Sequence, residues 1–105
     1  MIRHIVMWKF KEEAEGKTKR ENMLFVKDQL YALPALIPEI KKMEVGFDAT
    51  GAEKSMDLIL LTEFDSLSDL NIYAVHPEHV KVANYVRSVV ESRAVLDYDL
   101  EENFV

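Results

Sequence analysis

The run Leu58-Ile59-Leu60-Leu61 constrains this chain more than any other feature. It lies inside a segment of strand length, 56–64, and successive side chains of a strand point to opposite faces of the sheet. Met56, Leu58, Leu60 and Phe64 therefore take one face, and Ile59 and Leu61 the other. A strand that is apolar on both faces belongs to a sheet covered on both sides. One layer of helices covers only one face, so the second cover has to come from another source.

The remaining sequence supplies a single helical layer. Residues 2–10 alternate as a first strand, with Ile2, His4, Val6, Trp8 and Phe10 on one face and Arg3, Ile5, Met7 and Lys9 on the other. From Lys17 to Leu33 there is no Gly or Pro, and Met23, Val26, Leu30 and Leu33 recur at helical spacing. Pro34 and Pro38 then turn the chain, because proline lacks the N–H a continuing helix needs. Residues 40–48 form a half-buried second strand, the polar stretch 48–55 connects, and 56–64 is the third strand. Asp65 to Asp69 offers caps for a short helix near 67–74, and Pro77 suits the first turn of a helix running to about Val90. Val80, Ala83, Val86 and Val90 are the expected buried stripe of that helix, and 93–100 closes the pattern as a fourth strand.

The order βαββαβ is that of an α+β domain with a four-stranded antiparallel sheet. Its uncovered face carries Ile5, Met7, Ile59 and Leu61. Burying a large aliphatic side chain is worth roughly 1.5 to 3 kcal/mol, so two such sheets have a strong reason to pair. A homodimer is the expected partner arrangement.

A length of 105 residues suits one domain, 1–105, and the charged share of 30% is ordinary for a folded chain. The net charge of -6, with thirteen basic residues scattered among nineteen acidic ones, argues against nucleic acid as a partner. The absence of cysteine removes disulfides, thiol nucleophiles and cysteine metal sites, and points to a cytoplasmic setting. The opening apolar run is too short for a signal core or a membrane span, so no membrane association is expected.

Several segments together resemble a known family. They are Ile2 to Lys11, Leu33-Pro34-Ala35-Leu36-Ile37-Pro38-Glu39-Ile40, Glu44-Val45-Gly46, Tyr73-Ala74-Val75-His76-Pro77-Glu78-His79 and Leu96-Asp97-Tyr98. In this order and spacing they resemble the stress-responsive A/B barrel (Dabb) domain proteins over nearly the whole chain. The resemblance implies a dimeric α/β barrel made of two ferredoxin-like protomers. Most members have no assigned reaction; some plant relatives are heat-stable or defence proteins, and one plant branch is a polyketide cyclase that closes a ring by aldol condensation without a cofactor. That branch places in its pocket a strand-one histidine, a tyrosine, the second histidine of the His-Pro-x-His segment and a carboxylate of the last strand. The matching positions here are His4, Tyr73, His79 and Asp97. The aromatic helix residues of the cyclase walls correspond to Val26, Leu30 and Val82, which with Val6 and Trp8 make up the expected ligand lining.

An aldol cyclase needs one group to take a carbon-bound proton and another to hold the enolate. His79 falls in the first turn of a helix, where the dipole disfavours an added proton and suits a base. Tyr73 is then the hydroxyl donor, and Asp97 the group expected to fix the tautomer of His79. Each residue also has a plain structural reading. His76 precedes Pro77 and is placed to cap the helix, and a lone histidine such as His4 on an apolar strand face is commonly a hydrogen-bonded core residue. His76 and His79 with Glu78 make a poor metal set, since zinc wants three or four converging ligands, so no metal and no cofactor are expected. Two functions follow: a pocket for a small apolar or phenolic ligand with lyase or cyclase chemistry at His79 and Tyr73, or a non-catalytic stress-associated dimer or oligomer. A cofactor-free oxygenase fits the fold by analogy alone.

Overall fold

A computed structural model describes residues 1–101. The main sheet is built from β1 (Ile2–Phe10), β4 (Lys42–Phe47), β5 (Leu58–Phe64) and β6 (Val90–Asp99), in the order β4-β5-β1-β6 with every pair antiparallel. Three helices cover one face: α1 (Lys19–Tyr31), α2 (Leu67–Val75) and α3 (Pro77–Val89). A 3-10 turn, Leu33–Ala35, carries Pro34 and ends the first helical segment. The smallest extent of the molecule is 17 Å, room for one sheet and one helical layer.

The helix starts follow from side chains that satisfy orphan backbone donors. At α1 the Thr18 hydroxyl accepts from the Glu21 N–H at 3.2 Å, and the Glu21 carboxylate accepts from the Thr18 N–H at 3.0 Å, a capping box. The Ser66 hydroxyl caps α2 by accepting from Asp69 N–H at 3.1 Å. At α3 the cap is His76, whose Nδ1 accepts from the Glu78 N–H at 3.1 Å, with Pro77 behind it. The capping reading of His76 is thus the one the structure bears out.

Between β1 and α1 the residues 11–18 carry no hydrophobic period of their own. The structure has a two-stranded hairpin there, β2 (Glu13–Ala14) and β3 (Lys17–Thr18). Glu15 and Gly16 at its turn both have positive φ, 53° and 72°, the combination a tight two-residue hairpin turn requires. The hairpin is tied down by Asn22, fully buried on α1. Its amide donates to the Ala14 carbonyl at 3.0 Å, and its side-chain oxygen accepts from the Tyr85 hydroxyl at 2.5 Å.

Two buried stripes differ from expectation. On α1 the buried residues are Asn22, Val26 and Leu30, with Met23 half-buried, so Val26 and Leu30 fall where the spacing put them and Asn22 takes the place expected of Met23. On α3 they are Val82, Val86 and Val89, while Val80 is exposed. Helix α3 also stops at Val89, and β6 begins at Val90, three residues earlier than the sequence pattern suggested.

Register divides the sheet residues into two sets. His4 lies between Thr62 and Asp97, Val6 between Leu60 and Val95, and Trp8 between Leu58 and Arg93, all on the helix side. Ile5 lies between Leu61 and Leu96 and Met7 between Ile59 and Ala94, on the opposite face. That outer face is apolar at its centre, and beside it Leu96 of the edge strand β6 is 62% exposed. At its border Arg3 donates through two nitrogens to the Glu63 carboxylate at 3.0 and 2.7 Å and through a third to the Tyr98 hydroxyl at 2.8 Å.

Candidate functional site

Between the β1–β6 side of the sheet and helices α2 and α3 lies a cavity of about 550 Å³. Its floor is His4, Val6 and Trp8 of β1 with Leu60 of β5. Tyr73 and Leu70 of α2 and His79, Ala83 and Val86 of α3 make its roof. On the remaining side Val90, Glu91, Ser92 and Arg93 all border it. Four consecutive residues of a regular strand cannot all face one side, and here a bulge explains it. Lys9 pairs with Ser92 but Phe10 pairs with Val90, which leaves Glu91 as the extra residue of a kinked strand.

Three aromatic rings converge inside. The Tyr73 and His79 rings lie 4.2 Å apart, centroid to centroid, and His4 meets Tyr73 edge-on at 6.2 Å. Tyr73 is 2% exposed, and burial pushes its phenol well above the ordinary range, so the hydroxyl keeps its proton. No fully buried side-chain polar atom among the described residues lacks a hydrogen bond, and the Tyr73 hydroxyl has none within them. It therefore opens on the cavity.

The His79 ring has its Nδ1 3.1 Å from the Ala74 carbonyl, a pure acceptor, so Nδ1 carries the proton and donates it. The other nitrogen, Nε2, is then bare. Burial lowers the His79 pKa below its ordinary value; the hydrogen bond to Ala74 opposes this, and the nearby His4 and Arg93 reinforce it. The largest cause of this lowering is desolvation, and His79 lies in the first turn of α3 as the sequence suggested.

Asp97 does not orient His79. Its carboxylate accepts from Nδ1 of His4, the residue directly across the strand pair in register. Cross-strand pairing decided this, and it is not visible from the spacing of the two residues along the chain. The expected lining also needs correction. Val6 and Trp8 border the cavity, whereas Val26, Leu30 and Val82 are packed in the core at 0%, 2% and 8% exposure and do not. Val26 and Leu30 ride on α1, which contacts β4, whereas the cavity lies at the other edge of the sheet. Val82 points from α3 into the core cluster.

Sequence reasoning missed Leu60, Leu70, Val86, Arg87 and Arg93 as cavity residues. Leu60 and Val86 were legible as inward-facing positions; Arg93 would have followed from pairing it with Trp8. Among the described residues no group of three His, Cys, Asp or Glu converges as a metal site, and no helix is long and apolar enough to cross a membrane.

Known proteins share both the sequence pattern and this architecture. Olivetolic acid cyclase from Cannabis sativa is 30% identical over 99 residues, which cover 92% of this chain and 94% of that protein. A dimeric protein of ferredoxin-like fold from Bacteroides fragilis superposes with a TM-score of 0.76 at 35% identity, over 94% of this chain and 95% of that one. The hydroxynitrile lyase of Passiflora edulis has the same fold, with a TM-score of 0.83 at 20% identity over 99% and 96% of the two chains. The family model described as the stress responsive A/B barrel domain matches residues 2–100, the whole βαββαβ unit from the first strand through the last. By sequence and by fold alike, the chain belongs to the stress responsive A/B barrel domain family.

Proposed function

We propose that the protein binds a small, largely apolar carbonyl compound in the α2–α3 cavity and performs cofactor-free acid–base chemistry on it, of the lyase or cyclase type. The observation that carries this reading is the contact between Tyr73 and His79. One is held protonated by burial, the other is held neutral by burial, and their tilted rings lie 4.2 Å apart beside an apolar cavity. Groups whose environments push their protonation states toward donor and acceptor are what carbon-acid chemistry needs. The relationship to a cyclase at 30% identity is in keeping with it.

In the proposed reaction Nε2 of His79 takes a proton from a carbon next to a carbonyl group. The electron pair of the broken C–H bond moves into the carbonyl, and the resulting enolate oxygen accepts a hydrogen bond from Tyr73. For ring closure the enolate carbon then attacks a second carbonyl of the same molecule, and the new alkoxide recovers the proton from the His79 imidazolium. No electron leaves the system and no co-reactant is consumed. His4, held by Asp97, lines the same cavity as a positioning residue.

We further propose that the working unit is a cytoplasmic homodimer joined through the outer sheet face. The dimeric relative from Bacteroides fragilis and the exposed apolar centre of that face support this. The test uses His79→Ala and Tyr73→Phe in the intact dimer. Each is expected to lower turnover of a cyclisable diketone by about 10²-fold or more, the usual contribution of a positioned acid or base. If both variants bind and turn over as the wild type does and differ only in melting temperature, the protein is a scaffold without chemistry.

A further inference from the structure

The cavity is unequally charged. Three fixed charges border it, those of Arg87, Arg93 and Glu91, a local excess of one positive charge in a chain whose net charge is -6. All three side chains belong to exposed residues at the cavity's mouth, while Val6, Trp8, Leu60 and Leu70 give its floor and roof an apolar lining. Some cations elsewhere in the protein are matched: Arg3 grips Glu63 through two nitrogens, and Lys19 lies 3.2 and 3.3 Å from carboxylates of Glu12 and Asp57. Among the described residues neither Arg87 nor Arg93 has an ion-pair partner, and Glu91, close in sequence to both, reaches neither. Arg87 spends one nitrogen on the Asn84 side-chain oxygen at 2.9 Å.

We propose that Arg93, assisted by Arg87, takes the carboxylate end of a monoanionic ligand whose apolar body lies against Val6, Trp8 and Leu60. This rests on the reading of the cavity as a ligand site and names the class of compound that fits it. A guanidinium presents a planar fork of N–H donors that matches a carboxylate in two parallel hydrogen bonds. The local excess of one charge suits a monoanion; a phosphate monoester with close to two negative charges would leave the mouth over-compensated. Arg93 stands opposite Trp8 across the strand pair, so a carboxylate held there leaves the ligand body over the aromatic floor. The charge of Arg93 also bears on both Tyr73 and His79, which puts the anchored end within electrostatic reach of the proposed chemistry.

Trp8 is the chain's one tryptophan and borders the cavity, so its fluorescence reports occupancy without a label. The probes are 4-butylbenzoic acid and its neutral isostere 4-butylbenzamide, titrated at pH 7.5 into the full-length protein by Trp8 fluorescence and by calorimetry. The acid is expected to bind at least 10-fold more tightly than the amide. Arg93→Gln is expected to abolish that preference, Arg93→Lys to restore part of it, and Arg87→Gln to weaken it by a smaller factor. Raising the salt concentration should narrow the preference, because the mouth is open to solvent. Equal binding of acid and amide by the wild type overturns the proposal and leaves the ligand site standing, and so does a preference that survives in the Arg87→Gln/Arg93→Gln protein. If neither probe binds, the ligand-site reading falls and the anionic anchor falls with it.

Discussion

At His79, burial and the Ala74 carbonyl pull the imidazole in opposite directions, and burial wins. The sign of the consequence follows from proton counting. Below the ordinary value of 6.5 the unfolded chain takes up a proton that the folded ring refuses, so stability is lost as the pH falls from there toward the depressed folded value. Acidification from pH 7.5 to 5 should therefore lower the melting temperature of the wild type more than that of His79→Gln. Parallel pH curves for the two proteins would mean that the ring titrates as it would in water. The partnership of Tyr73 with His79 was legible because both lie within one seven-residue segment spanning the helix junction. The partner of Asp97 was not, since a residue 93 positions away is chosen by strand register, which the sequence of either strand alone leaves open.

Among the elements, α3 shows most directly how one side chain sets a boundary. His76 closes the end of α2, and its Nδ1 then receives the Glu78 N–H at the start of α3. Removing an N-cap acceptor costs about 1 kcal/mol, so His76→Ala should lower the unfolding free energy from urea denaturation by that order while His76→Asn, which also accepts, retains most of it. Loss of activity from His76→Asn without loss of stability would instead assign the ring a chemical role. Strands β1 and β5 and the three helices were legible because their periodicity runs over seven residues or more. The β2–β3 hairpin was not, with two residues per strand giving no period, although Glu15-Gly16 is the kind of pair that a tight turn uses. Only the first position of the α1 stripe was misassigned, to Met23 and not Asn22, because a buried asparagine has no hydrophobic signature; only its two hydrogen bonds reveal that it belongs inside.

For the whole molecule, the bare outer face is the feature to be accounted for. The Leu58-Ile59-Leu60-Leu61 run predicted a sheet covered on both sides, and the protomer covers one. Leu96, on the edge strand of the bare face and 62% exposed, contributes little to the protomer's own core. A twofold interface would bury it twice, so Leu96→Glu should place two carboxylates in an apolar contact. The variant is expected to fold as the wild type does by circular dichroism but to weaken dimerisation by on the order of 100-fold, read by sedimentation. A dimer that persists at the wild-type concentration would locate the contact elsewhere.

Strand β6 serves two surfaces by parity: Arg93 points to the cavity, while Ala94 and Leu96, one and three places further on, belong to the outer face. The bulge at Glu91 sets which parity is which. A single residue inserted between that bulge and Arg93 would exchange the two sets, carrying a guanidinium into the proposed subunit contact and leucine into the ligand mouth. Diversification of such a protein is therefore confined to substitution along this strand. Length variation has to be absorbed in segments that no ladder holds in phase, such as the polar stretch 48–55.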